Sequence, residues 1–118
     1  TQAWSEKVAG ADAVLFVTPQ YNWGYPAVLK NAIDHLYKEW AGKPAAIITY
    51  GGHGGTKCAA QLRQVAGAVK MNLVSAAPVL TLPADVIRSG VPVKPDVDFQ
   101  AGIESVKQLF AELATCMA

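Results

Sequence analysis

Apolar residues along this chain fall into two patterns, and the two alternate. Ala13, Val14, Leu15, Phe16, Val17 and Thr18 form a nearly continuous apolar run, the signature of a parallel strand covered on both faces. A second such run occupies residues 44–50, with Ala45, Ala46, Ile47 and Ile48 at its centre. A third lies within residues 71–80 and is expected to break near Pro78, whose ring removes a ladder N–H. Between the runs, apolar residues recur at spacings of three and four, one face of a helix. Residues 4–8 read as the end of a helix stopped by Gly10. Leu29, Ile33, Leu36, Tyr37 and Trp40 mark a helix entered at Pro26 and ended by Gly42. Cys58, Leu62, Val65, Ala66 and Val69 mark the next. The last helix is predicted over residues 98–115, with Asp98 as its N-cap and Phe99, Ile103, Val106, Phe110 and Leu113 as its face. Residues 83–98 are proline-rich and aperiodic, so a long surface loop is expected there.

Strands alternating with helices predict an α/β fold with a parallel sheet and right-handed crossovers. The first strand reads as a central one, yet nothing earlier in the chain pairs with its other edge. A bare apolar edge recruits other strands. The chain is therefore expected to be part of a larger sheet, or to complete its sheet by association through residues 13–18.

Composition narrows the function classes. The chain has 118 residues, 52% hydrophobic and 16% charged, with a net charge of +1. That is enough apolar material for one small domain. The balanced charge gives no reason to expect nucleic acid or an anionic membrane as partner. No apolar run approaches the ~20 residues of a membrane span. Cys58 and Cys116 are far apart and near no histidine pair, so neither a disulfide framework nor a zinc site is expected. They read as ordinary thiols of an intracellular, cytoplasmic protein.

Two loops carry the candidate chemistry. Pro19, Gln20, Tyr21, Asn22, Trp23, Gly24, Tyr25 and Pro26 link the first strand to its helix. Open α/β sheets bind ligands at the carboxyl ends of their strands. Two prolines and three aromatics make this loop stiff and flat, a fit for a planar ligand. The pattern alone leaves a tight turn packed on the core as an equal reading. After the second strand come Tyr50, Gly51, Gly52, His53, Gly54 and Gly55, where glycines let backbone approach a ligand closely. This turn is not a Walker loop, since Thr56 precedes Lys57, and G-x-G-x-x-G is absent.

The pattern P-x-Y-N-x-x-x-P-x-x-L-K-N-x-I-D, met by Pro19, Tyr21, Asn22, Pro26, Leu29, Lys30, Asn31, Ile33 and Asp34, together with the glycine turn, resembles the NADPH-dependent FMN reductase family. Within it the chain looks most like the fungal NAD(P)H-dependent quinone reductases. The resemblance implies a flavodoxin-like three-layer sandwich with sheet order 2-1-3-4-5. Residues 1–118 would be the C-terminal portion of that single FMN-binding domain and supply strands 3, 4 and 5. It implies FMN as cofactor, held by Pro19, Gln20, Tyr21, Asn22, Trp23, Tyr50, Gly51 and Gly52 through main-chain amides, and no metal. His53 and Gly54 would face the substrate. Hydride would pass from NADPH or NADH to FMN, and two electrons on to a quinone or flavin acceptor. Homodimers or higher homo-oligomers are implied, with Tyr37 and Trp40 as candidates for the contact. The Ser-, Gly- and Arg-rich loop that holds the FMN phosphate in the family has no counterpart here. A second reading follows from that: an FMN-free fragment acting as an interaction or structural module. A flavodoxin-type electron carrier is a third, opposed by the absence of strong acidity.

Overall fold

The computed structural model describes residues 1–117. Its elements alternate as the hydropathy predicts: α1 (Gln2–Gly10), β1 (Val14–Pro19), α2 (Ala27–Asp34), β2 (Pro44–Gly51), α3 (Thr56–Ala68), β3 (Asn72–Leu73), β4 (Val79–Thr81), α4 (Ala84–Ser89), α5 (Pro95–Asp98) and α6 (Ile103–Met117). All strand pairings are parallel. β2 is central, β1 lies on one side, and β3 and β4 share the other. The protein is thus an α/β fold on a parallel sheet.

Side chains alternate across β2 and build two cores. Ala45 and Ile47 face one layer with Phe16 of β1, Val8, Ile33, Leu62 and Ala66 of α1, α2 and α3, and Trp40 from the segment after α2. Ala46 and Ile48 face the other with Val74, Leu109 and Leu113, where α6 packs. The apolar stripe of α6 is Val106, Leu109, Leu113 and Cys116. Two residues of the expected face, Ile103 and Phe110, are 39% and 53% exposed. The helix begins five residues later than predicted, and Asp98 closes α5 by accepting the Lys94 N–H at 2.8 Å. The expected loop over residues 83–98 holds two short helices, α4 and α5, too brief to show a period.

The helix predicted through Trp40 stops at Asp34. Two indoles take its last carbonyls: Trp4 Nε1 donates to Ala32 O at 2.8 Å and Trp40 Nε1 to Ile33 O at 3.0 Å. Those are carbonyls that a helix end leaves without intrahelical partners. A 3₁₀ turn over Lys38–Trp40 then returns Trp40 to the core, fully buried against Phe16 and Trp4. Trp40 is therefore unavailable for a subunit contact, whereas Tyr37 is 70% exposed.

Pro78 interrupts the third strand as expected. Leu73 pairs with Ala45 and Val79 with Thr49, so residues 74–78 bulge opposite residues 46–48. Glu112 of α6 holds the bulge. Its Oε1 accepts from Ser75 N, Ser75 Oγ and Ala76 N at 3.0, 2.7 and 3.1 Å. The Ser75 hydroxyl first, and then the Ala76 amide, hold this carboxyl below its ordinary range. A depressed carboxyl contributes stability in full above its unfolded value and loses it as pH falls through the folded one. Glu112→Ala is expected to lower the thermal midpoint by a few degrees at neutral pH. The gap to the wild type should close as pH falls from neutral through the depressed folded value of this carboxyl, as measured by thermal unfolding at successively lower pH.

β1 is not covered on both faces as expected. Among the described residues it pairs only with β2, and Val17, on the α6 side, is 58% exposed because α6 reaches no further than Leu15 on this strand.

Candidate functional site

The loop after β1 closes on itself. Tyr21 N donates to Gly24 O and Gly24 N to Tyr21 O, both at 2.9 Å, so residues 21–24 form a miniature hairpin. Asn22 and Trp23 both have positive φ, +47° and +77°, the pattern of a type I′ turn. Asn tolerates that region; Trp does not, and is held there at a cost of about 1–3 kcal/mol. The hold comes from α3. Gln61 Nε2 donates to Trp23 O at 3.1 Å, and Lys57 Nζ lies 5.4 Å from the Trp23 ring centroid, within cation–π range. Gln20 Oε1 accepts the Cys58 N–H at 2.9 Å, supplying the cap that Gly55 cannot give α3. Cys58 itself is buried, and desolvation raises its thiol above the ordinary range, so it packs rather than reacts.

The glycine turn after β2 is shaped by close approach. Gly54 (φ +79°) and Gly55 (φ +108°) lie buried against the sheet. A Cβ at Gly54 would sit 2.4 Å from Val79 Cγ1, and one at Gly55 2.6 Å from Thr49 Cβ. Gly54 thus packs inward beneath the turn, away from the position expected of a substrate contact. Gly52 and His53 are exposed.

The two loops face one another across a cleft of about 500 Å³ lined by Gln20, Asn22, Trp23, His53, Thr56 and Lys57. Four of these, Gln20, Asn22, Trp23 and His53, were expected from the sequence. Pro19, Tyr21, Tyr50, Gly51, Gly52 and Gly54 flank or underlie the cleft without lining it. Among the described residues, the amides of Asn22, Trp23, Gly52 and His53 donate no hydrogen bond, whereas the Tyr21 amide is used up within the hairpin. Tyr21 therefore drops out of the expected set of main-chain donors. Two loops that bring the open amides of Asn22, Trp23 and His53 to one cleft, with an exposed indole and no carboxylate in its lining, suit a planar heterocycle rich in acceptor atoms. No group of three or more His, Cys, Asp or Glu residues converges among the described residues.

The sequence profile of the family described as NADPH-dependent FMN reductase matches residues 1–82. This chain belongs to the NADPH-dependent FMN reductase family. It is 56% identical over 114 residues to an NAD(P)H-dependent FMN reductase of Schizosaccharomyces pombe, covering 97% of this chain and 56% of that protein. It is 46% identical over 117 residues to an NAD(P)H-dependent FMN reductase of Saccharomyces cerevisiae, covering 99% and 58%. In three dimensions it is similar to FerB, a flavoenzyme NAD(P)H:(acceptor) oxidoreductase from Paracoccus denitrificans, with TM-score 0.67 and 28% identity over 96% of this chain and 63% of that one. The chain thus spans somewhat more than half the length of the curated relatives it matches.

Sequence reasoning missed three residues of this site: Thr56, Lys57 and Gln61. Thr56 and Lys57 follow the glycine turn directly, at the first turn of α3, and that adjacency was the available signal. Gln61 lies one helical turn further, on the side that meets Trp23, which only the packing of the loop on α3 reveals. Among the described residues, no helix is long and apolar enough to cross a membrane.

Proposed function

We propose that the protein carrying this chain is an FMN-dependent oxidoreductase whose flavin ring lies between the hairpin loop and the glycine turn. One observation carries this reading: in a member of this family, open amides of two rigid loops meet across one cleft. Flavin carbonyls need donors, and fixed backbone N–H groups supply them without reorganisation. Asn22, Trp23, Gly52 and His53 would donate to the ring's polar edge, Trp23 would offer an aromatic face, and the His53 side chain would meet the acceptor. FMN, when bound, supplies the ring through which hydride leaves NADPH or NADH. Overall, NAD(P)H, one proton and a quinone give NAD(P)⁺ and hydroquinone. Names of relatives support this chemistry, among them a quinone reductase of Escherichia coli, 44% identical over 70 residues.

The proposal extends to the fold. β1, β2 and the interrupted β3–β4 strand would be strands 3, 4 and 5 of a 2-1-3-4-5 sheet. Residues 1–118 would then be the C-terminal portion of one flavodoxin-like domain. The free edge of β1 and its exposed Val17 are what support this. A cytoplasmic homodimer with Tyr37 near its contact belongs to the same reading.

The alternative, an FMN-free interaction module, makes an opposite prediction. Titrating FMN into the purified chain should quench flavin fluorescence to a one-to-one end point. Unquenched flavin beside a folded chain, checked by circular dichroism, would favour the module for residues 1–118 alone and leave the enzyme reading with the longer protein.

A further inference from the structure

The cleft carries one charge, and it is positive. Of the six residues that line it, five are Gln20, Asn22, Trp23, His53 and Thr56, and the sixth is Lys57. The ion pairs among the described residues are Lys30–Asp34 and Lys107–Glu104, so no carboxylate neutralises Lys57. Its ammonium lies 5.4 Å from the centre of the Trp23 ring. That ring is 64% exposed, yet its backbone is held at a positive φ that a tryptophan avoids. Strain kept at an exposed aromatic points to a role for the ring outside the fold.

Lys57 and an incoming aromatic ligand compete for the same indole. A neutral ring that stacks on the face Lys57 occupies removes the ammonium from it and gives nothing back for the lost cation–π contact. A ring bearing an anionic group accepts the displaced ammonium as a counter-charge. The lysine stem is long and flexible, so the ammonium can swing from the indole to the anion without moving the backbone. No acidic side chain in the cleft lining opposes the anion.

We infer that the cleft selects planar aromatic ligands that carry a negative group, and that Lys57 is the residue that selects them. This rests on the cleft being the ligand site, as proposed above. It adds a substrate class, anionic aromatic acceptors over neutral ones, and a specificity-determining residue outside both loops.

The test uses two probes with one ring system, anthraquinone-2-sulfonate and the neutral 2-(hydroxymethyl)anthraquinone. Each is titrated into the chain while tryptophan emission is followed, and Trp23→Phe identifies the part due to Trp23. The sulfonate should bind about fivefold more tightly at low salt, the scale of one partly exposed charge pair. The advantage should vanish in Lys57→Gln and shrink in high salt. Equal binding of both probes, or an advantage that survives in Lys57→Gln, overturns the inference while leaving the cleft as a ligand site. If neither probe quenches Trp23, the cleft reading fails and the inference fails with it.

Discussion

Gly55→Ala is expected to destabilise the protein by about 3–5 kcal/mol, the sum of backbone strain and overpacking. Gly55 has φ +108°, a conformation that side chains rarely adopt. Its new methyl would fall 2.6 Å from Thr49 Cβ and 2.8 Å from Thr49 Oγ1. Thr49 is fully buried on central β2 and cannot swing aside. The turn cannot lift either, because Gly55 O accepts the Ala59 N–H at 2.9 Å and Gln20 fixes the Cys58 amide. Gly67 in the same helix is the control. A Cβ there meets nothing within 4 Å and needs no positive φ, so Gly67→Ala should stabilise by about 0.5–1 kcal/mol. Urea unfolding of the two variants should give shifts of opposite sign. A mild loss for Gly55→Ala would mean that the turn is softer than its packing implies.

Trp23→Gly should raise stability and lower ligand binding together. Asn-Gly is the preferred pair for a type I′ turn, and the chain has Asn22 followed by Trp23. Replacing Trp23 releases the strain of a φ of +77°. A gain of about 1 kcal/mol is expected, reduced by the lost contact with Lys57. Without the indole, the cleft keeps its open amides but loses its aromatic face. Affinity for flavin should fall about tenfold. Denaturant unfolding and flavin titration of the same preparation read both effects. A variant that loses stability as well as binding would show that the tryptophan serves the fold.

Much of this architecture is legible in the hydropathy. β1 and β2 lie within one residue of the apolar runs that predict them, because buried strands leave an uninterrupted signal. The end of α2 is not legible. Leu36 and Trp40 keep helical spacing and are buried, yet the indoles of distant Trp4 and of Trp40 itself take the carbonyls that would continue the helix. The stripe of α6 is misread because Phe110 and Ile103 are as apolar as the residues that pack. Only the position of the sheet decides between the two faces. At the site, the loop sequences mark Gln20, Asn22, Trp23 and His53. They do not reveal that the hairpin spends the Tyr21 amide on itself, since Asn-Trp is a poor type I′ sequence that α3 enforces through Gln61 and Lys57.

The central claim is that a flavin ring is held between these two loops, and amide chemical shifts under FMN titration of ¹⁵N-labelled protein test it most directly. The account predicts saturable shifts at Asn22, Trp23, Gly52 and His53. If those four stay fixed while the apolar groove around Leu80, Phe99 and Val106 responds, the flavin binds elsewhere and the account is wrong.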